Sequence, residues 1–135
     1  MDKKKILVID DEKDFVETVA FQLKELGYEV IAAGDGEEGL DKARQENPDL
    51  VILDLTLPKI NGFDVCRKLK IDEKYNGIPI IILTGKFQPV DVRFGKAMGA
   101  DFYITKPFEQ DILAKKIREL LGRHNTKRRK GQDNG

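Results

Sequence analysis

The chain has 135 residues, of which 40% are hydrophobic and 36% are charged, and its formal net charge is zero. This length accommodates the core of one ordinary domain, and this composition argues against a disordered or membrane protein. The apolar run at 6–9 is followed by three acidic residues and is too short for a signal peptide or a membrane span. We therefore expect a single cytoplasmic domain that does not contact a membrane.

Charge divides the chain into an acidic part and a basic end. Residues 1–121 carry 19 positive and 23 negative side chains, whereas residues 122–135 carry five Lys or Arg and one Asp. The basic end contains no apolar side chain with which to join a core. We expect one folded domain at 1–121, without direct nucleic-acid binding, and a basic, disordered tail or linker start at 122–135. The single cysteine, Cys66, excludes an internal disulfide framework.

Short apolar runs alternate along the chain with longer segments of helical spacing. This pattern is typical of a parallel sheet wrapped by helices. Three of the runs are nearly continuous Ile, Leu and Val, as expected when helices cover both faces of a sheet. Gly, Pro, Asp or Asn bound the runs. The predicted strands are residues 5–9, 28–33, 50–53, 79–83 and 101–104.

The segments between and after these strands predict helices. In the first of them, Phe15, Val19, Leu23 and Leu26 share one face, and Gly27 marks the end. The fourth has a weaker pattern, because a glycine interrupts it. The predicted helices are residues 15–26, 37–46, 63–71, 90–98 and 108–121.

Five β/α units of this kind favour one fold class. Right-handed crossovers leave few windings, and the common one at this size is a doubly wound, flavodoxin-like α/β fold. It has a five-stranded parallel sheet of order 2-1-3-4-5 flanked by five helices. Ligands of such folds bind at the carboxyl ends of the strands, where the strand order reverses. That point lies between strands 1 and 3.

Polar side chains follow four of the predicted strands. Asp10 and Asp11 follow strand 1, Asp54 follows strand 3, Thr84 follows strand 4 and Lys106 follows strand 5. Because strands 1 and 3 are neighbours in this order, the three carboxylates should converge. Clustered carboxylates repel one another, and a hard divalent cation such as Mg²⁺, or Mn²⁺ in its place, would keep them ionised.

This arrangement favours phosphoryl chemistry. Lys106 and Thr84 would offer a positive charge and a hydroxyl donor to phosphoryl oxygens from the side opposite the acidic pair. Asp54 lies between the acidic pair and the Lys106–Thr84 pair. It is therefore the predicted nucleophile and phosphoacceptor.

The sequence resembles the receiver domain of two-component response regulators over residues 4–121. The matching segments are ILVIDDE at 6–12, DLVILDLTLPKINGFDV at 49–65, PIIILTG at 79–85 and GADFYITKPF at 99–108. The resemblance implies that Asp11 and Asp54 contribute carboxylate oxygens to Mg²⁺ and that Asp10 helps through water. It also implies that the backbone carbonyl of Thr56 completes the protein ligands.

The same resemblance implies how the signal is made and passed on. Lys106 would pair with the phosphoryl group on Asp54, and Thr84 would hydrogen-bond to it. Thr84 and Tyr103 would form the switch, in which the hydroxyl moves toward the phosphoryl group and the aromatic ring turns inward behind it. This change would reshape the face of helix 4, strand 5 and helix 5. The Lys106–Pro107 peptide bond would be cis.

The resemblance also implies the partners. The phosphoryl donor would be a sensor histidine kinase or a histidine phosphotransfer protein, and the recipient of the signal would be a downstream effector protein or an output domain lost from this chain. The protein would not be a conventional turnover enzyme, since it would catalyse only its own Mg²⁺-dependent phosphorylation and slow dephosphorylation.

Two features depart from the family pattern. Ile112 and Lys116 stand where Glu and Arg are common in regulators that dimerise through helix 5, so dimerisation through that face is not expected. Thr56 and Lys86 occupy positions that tune dephosphorylation in the family, and these residue types do not assign a phosphoryl lifetime.

Other interpretations of these residues stay open. Asp10 and Asp11 could cap a helix, Asp54 could be a turn residue, and Tyr103 could be a packed core aromatic. A receiver-like protein-interaction module that acts without phosphorylation is an alternative function. A flavodoxin-like cofactor carrier is another, although no Gly-rich phosphate loop follows strand 1.

Overall fold

Five parallel strands form one sheet in the computed structural model, which describes the backbone of residues 3–85 and 89–134 and the side chains of residues 3–85 and 91–122. With the strands numbered along the chain, their order in the sheet is 2-1-3-4-5, as the sequence predicts. Every predicted strand boundary lies within one residue of the observed one. The strands are β1 (Lys5–Ile9), β2 (Glu29–Ala33), β3 (Leu50–Leu53), β4 (Ile80–Thr84) and β5 (Phe102–Thr105).

Alternation of side chains along the strands builds two apolar layers, one on each face of the sheet. In β1, Leu7 and Ile9 belong to one layer, whereas Ile6 and Val8 belong to the other. Both layers are covered by helices, so that a strand residue is buried whichever way it points. This explains the continuous apolar runs of the sequence.

Four helices connect the strands, a fifth follows β5, and together they cover the sheet. They are α1 (Lys13–Glu25), α2 (Gly36–Glu46), α3 (Gly62–Lys70), α4 (Pro89–Ala97) and α5 (Gln110–Asn134). The apolar residues of α2 and α3 pack against the layer that contains Leu7, and those of α1 and α5 pack against the layer that contains Ile6. In the described part of the chain, none of these helices combines the length and apolar composition needed to cross a bilayer.

The last helix continues beyond the end that the sequence predicts. Its apolar side chains pack in the core as expected, with Leu113, Ile117 and Leu121 all buried. The helix is assigned as far as Asn134, which corrects the predicted end at Leu121. Lys, Arg and Gln are good helix formers, and backbone hydrogen bonding needs no apolar side chain. The domain limit at 121 and the role of residues 122–135 as a tail or linker stay predictions.

The start of α3 packs directly against the end of β3. A Cβ atom on Gly62 would overlap the backbone carbonyl oxygen of Asp54 and would lie 2.8 Å from Leu55 Cα. The Gly62 amide also donates a hydrogen bond to the Leu55 carbonyl oxygen at 2.9 Å. Only glycine fits at this position without moving the backbone that carries Asp54.

Replacing Gly62 tests this close approach. Gly62→Ala should lower the free energy of unfolding by about 1–3 kcal/mol, because the new methyl group overlaps backbone rather than a flexible side chain. Gly122→Ala is the matched control, since a Cβ there meets no atom within 4 Å. Its stability should stay the same or rise by up to about 1 kcal/mol. Urea unfolding followed by circular dichroism measures both variants, and equal stabilities would contradict the overlap.

The single cysteine lies in the core. Cys66 has no exposed surface, and its thiol donates a hydrogen bond to the Met98 carbonyl oxygen at 3.5 Å. Burial raises the pKa of the Cys66 thiol to about 11, against the opposing charge of Lys70. The thiol is therefore protonated at neutral pH in the folded protein.

Alkylation kinetics should report this burial. The thiolate is the reactive form, so iodoacetamide at pH 8 should label Cys66 much more slowly in the folded protein than in guanidinium, where the pKa returns to about 8.5. The contribution of Cys66 to folding stability should be complete below about pH 8.5 and should be lost as the pH rises toward the folded pKa. Mass spectrometry follows the labelling. Similar rates in the folded and the unfolded chain would contradict the burial.

Candidate functional site at the carboxyl ends of the strands

Two buried carboxylates lie side by side at the end of the sheet. Asp10 follows β1 and Asp54 follows β3, and the last residues of these strands, Ile9 and Leu53, are partners in the parallel register. The Asp10 and Asp54 amides donate to the carbonyl oxygens of Ala33 and Ile9, each at 3.0 Å, so the sheet bonding continues one residue past the strands. Each aspartate is only 4% exposed.

Backbone amides fix one oxygen of each carboxylate. The Glu12 amide donates to Asp10 Oδ1 at 2.9 Å, and the Leu55 amide donates to Asp54 Oδ1 at 2.7 Å. The other oxygens, Asp10 Oδ2 and Asp54 Oδ2, both face Lys106. The two side chains are thus held with one oxygen anchored and one turned toward a cation.

Lys106 reaches this pair from the end of β5. Its amide donates to the Thr84 carbonyl oxygen at 2.7 Å, and the Lys106–Pro107 peptide bond is cis, as the resemblance implies. Its Nζ lies 2.8 Å from Asp10 Oδ2 and 3.6 Å from Asp54 Oδ2. The structure therefore brings together Asp10, Asp54 and Lys106, which the sequence placed on three different strands.

Glu12 is a member of the cluster that the sequence analysis did not single out. Its Oε1 lies 3.2 Å from Lys106 Nζ, although its side chain is largely exposed. Carboxylate oxygens of Asp10, Glu12 and Asp54 all lie within 4.8 Å of one another. A third acidic residue directly after the Asp10–Asp11 pair was the available signal, but its direction depends on the backbone at the start of α1.

Burial and ion pairing act against each other in this cluster. Burial raises the pKa of Asp10, and this effect outweighs the lowering by the hydrogen bond from Lys106. Burial alone would lower the pKa of Lys106, but the hydrogen bond to Asp10 and the charge of Asp54 raise it overall. Lys106 therefore remains an ammonium ion and serves as the internal counter-charge of the carboxylates.

The donor set fits a hard divalent cation. Three carboxylate oxygens close enough to share one ion are the ligands that Mg²⁺ prefers, and the described residues place no sulfur or imidazole donor in this group. Asp11 is exposed and lies outside the group, but it lines a surface depression together with Thr56. The predicted roles of Asp11 and of the Thr56 carbonyl as ligands stay predictions.

The two predicted switch residues lie next to the cluster in the sheet. Thr84 is the last residue of β4 and is 1% exposed. Tyr103 lies in the middle of β5 and is partly buried, and a Cβ on Gly95 of α4 would lie 3.4 Å from its ring. Burial, followed by the charges of Asp91 and Asp54, raises the pKa of the Tyr103 hydroxyl to about 12. Their roles as a switch stay predictions.

The structure describes some, but not all, of the positions that the resemblance links to dephosphorylation and dimerisation. Lys86 lies outside the described residues. Ile112 is about half exposed on α5, and the Lys116 ammonium lies 4.1 Å from the centroid of the Phe102 ring. The expectation that this face does not dimerise stays a prediction.

The chain is similar to known proteins in both sequence and structure. The family described as the response regulator receiver domain matches residues 6–118. The chain is 43% identical over 120 residues to the alkaline phosphatase synthesis transcriptional regulatory protein PhoP of Bacillus subtilis, a match that covers 89% of this chain and 49% of that protein. It is 42% identical over 123 residues to the DNA-binding response regulator MtrA of Mycobacterium tuberculosis, with coverage of 91% and 53%. The chain thus spans about half the length of the curated relatives it matches.

Solved structures show the same fold. A CheY-like response regulator receiver domain protein from Methanospirillum hungatei is similar with a TM-score of 0.88 and 31% identity, covering 93% of this chain and 99% of that chain. The chemotaxis protein CheY4 of Vibrio cholerae has a TM-score of 0.83 and 33% identity, with coverage of 88% and 99%. The family match, these relatives and the acidic group at the strand ends lead to one conclusion: the chain belongs to the response regulator receiver domain family of two-component systems.

Proposed function

We propose that this chain is a phosphorylation-dependent signalling switch whose Asp54 accepts a phosphoryl group from the phosphohistidine of a sensor histidine kinase or a histidine phosphotransfer protein. The environment of Asp54 carries the proposal. The side chain is buried, Oδ1 is fixed by the Leu55 amide, and Oδ2 lies 3.6 Å from the Lys106 ammonium. An oriented nucleophilic oxygen beside a fixed positive charge is what phosphoryl transfer requires of a protein.

The transfer is a displacement at phosphorus. Oδ2 of Asp54 forms a bond to phosphorus while the bond between phosphorus and the donor imidazole nitrogen breaks. The imidazole leaves with the electron pair and takes up a proton. Lys106 would pair with the phosphoryl oxygens as they gain charge, and the Thr84 hydroxyl would donate a hydrogen bond to the product.

Mg²⁺, with Mn²⁺ as a substitute, would be held by Asp10, Asp11 and Asp54 and by the backbone carbonyl of Thr56. Carboxylate oxygens of Asp10 and Asp54 lie within 4.8 Å of each other, and Asp11 and Thr56 line one depression beside them. When bound, the cation offsets the repulsion between these carboxylates and the incoming phosphoryl group. The close approach of Gly62 to the Asp54 backbone supports the ligand set by holding Asp54 in place.

The phosphorylated state would be read at the face formed by α4, β5 and α5. Tyr103 in β5 packs close to Gly95 in α4, so an inward turn of its ring, following Thr84, would change how α4 packs. A coupling free energy of roughly 1–3 kcal/mol suffices for such a shift. The recipient would be a cytoplasmic effector protein or an output domain outside this chain. Residues 1–121 would not bind nucleic acid directly, although the similar protein MtrA is a DNA-binding regulator.

Phosphate uptake tests the role of Asp54. The wild-type protein incubated with acetyl phosphate and Mg²⁺ should gain the mass of one phosphate. Asp54→Asn should gain none, because it keeps the side-chain shape and an oxygen for the Leu55 amide but loses the nucleophile. Asp41→Asn, which alters an exposed aspartate on α2, should behave like wild type. Intact mass spectrometry measures all three proteins. Equal uptake by Asp54→Asn and wild type would contradict the role of Asp54 as phosphoacceptor.

Thermal melts with and without Mg²⁺ test the charge balance of the cluster. Asp10→Asn should melt at a higher temperature than wild type without metal, because it removes one of three crowded carboxylates while Lys106 keeps Glu12 and Asp54 as partners. Its affinity for Mg²⁺ should fall roughly 10–100-fold, so Mg²⁺ should raise its Tm by less. The exposed change Asp41→Asn should leave both melting temperatures as in wild type. A lower metal-free Tm for Asp10→Asn would contradict the proposed repulsion.

A further inference from the structure

An aromatic ring completes the surroundings of the Lys106 ammonium. Three carboxylates approach the nitrogen, and the centroid of the Phe15 ring lies 3.9 Å from it. This distance is well within the range of a cation–π contact, which extends to about 6 Å from the ring centroid. The Lys106 side chain is only 15% exposed, so water weakens the contact little.

The Phe15 ring is held in place by a contact with the segment that carries Lys106. Phe15 lies in the first turns of α1 and packs edge to face against Phe108, with ring centroids 6.1 Å apart and planes at 76°. Phe108 follows Lys106 by two residues. The backbone that carries the ammonium and the ring that receives it are therefore packed as one unit, which fixes the direction of the Lys106 side chain.

The ring contact differs from the ionic contacts in what competes for it. The oxygens of Asp10 and Asp54 are the predicted ligands of a divalent cation, and a cation bound there would repel a neighbouring ammonium. The face of Phe15 binds the ammonium through its quadrupole and offers nothing to a hard cation. When the carboxylates are engaged elsewhere, the aromatic face is the contact that still keeps Lys106 near Asp54.

We propose that Phe15 is a positioning residue that holds the Lys106 ammonium beside Asp54 through its ring face, and so prepares Lys106 to meet the phosphoryl group. The second part of this proposal, that Lys106 is prepared to meet the phosphoryl group, rests on the proposed function. Phe15 would act on the site through Lys106, since its ring contacts that ammonium and otherwise packs against Phe108 and the apolar layer that contains Ile6.

Three single variants distinguish the effect of the aromatic ring of Phe15 from the effect of its apolar volume. Phe15→Leu keeps an apolar side chain and loses the ring, whereas Phe15→Tyr keeps the ring. Phe21→Leu is the matched control, because it makes the same change at an exposed position on the same helix. Thermal melts establish that each variant is folded before the other measurements are made.

The first readout is the mobility of Lys106 at saturating Mg²⁺ and without phosphate, the state in which the cation would engage the aspartate oxygens. NMR relaxation of the Lys106 Cε methylene, assigned with Lys106→Arg, should show an ordered side chain in wild type, Phe15→Tyr and Phe21→Leu. The order parameter should fall in Phe15→Leu. An unchanged order parameter in folded Phe15→Leu would overturn the proposal.

The second readout is the rate of phosphate uptake from acetyl phosphate at saturating Mg²⁺. Phe15→Leu should be slower by about two- to thirty-fold, which corresponds to the loss of one desolvated cation–π contact. Phe15→Tyr and Phe21→Leu should match wild type. A rate for Phe15→Leu equal to wild type would also overturn the positioning role. If wild type takes up no phosphate at Asp54, the proposed function fails, and the mobility of Lys106 still decides whether Phe15 holds it.

Discussion

The site depends on the positive charge of Lys106, whose closest carboxylate is that of Asp10. The two residues are 96 positions apart in the chain, and their side-chain atoms lie 2.8 Å from each other in a setting that is largely closed to water. Burying two aspartates side by side is costly unless a positive charge accompanies them. The fifth strand supplies that charge, so the last β/α unit must be in place before the ends of the first and third strands are electrostatically balanced.

The parallel sheet brings these residues, which are distant in the sequence, to the same edge. Parallel strands all end at the same edge, and the order β2-β1-β3-β4-β5 puts the ends of β1 and β3 next to each other. Along the strands, both faces are filled by apolar side chains, so no polar group fits there without a partner. The charged residues of the site therefore follow the strands, and Asp10, Asp54 and Lys106 stand at the first positions past β1, β3 and β5.

Sequence patterns predicted the strands, their order and the three central site residues, because each follows from a strong local rule. Continuous apolar runs mark buried strands, and the residue after such a run has a known place in a parallel sheet.

The roles of Glu12 and Phe15 were not predicted from the sequence. Glu12 is the N-cap residue of α1, and its contact with Lys106 depends on backbone and side-chain angles that spacing does not reveal. Phe15 matched a helix face directed at the core, and its contact with Lys106 depends on side-chain angles that spacing does not reveal. The end of α5 was misplaced because the missing apolar face says nothing about backbone hydrogen bonding.

The same ammonium has two tasks, and their conflict explains why its surroundings contain more than one kind of partner. In the metal-free protein it neutralises Asp10 and Asp54, and in phosphoryl transfer, as proposed, it must turn to the oxygens of a new dianion. A lysine held only by the two aspartates would lose its anchors when those oxygens took other partners. The ring of Phe15 remains as a contact, because it offers no ligand to the metal or to the phosphoryl group. Under the proposed function, Lys106 would change its ionic partner while the ring contact preserves its position in the crevice.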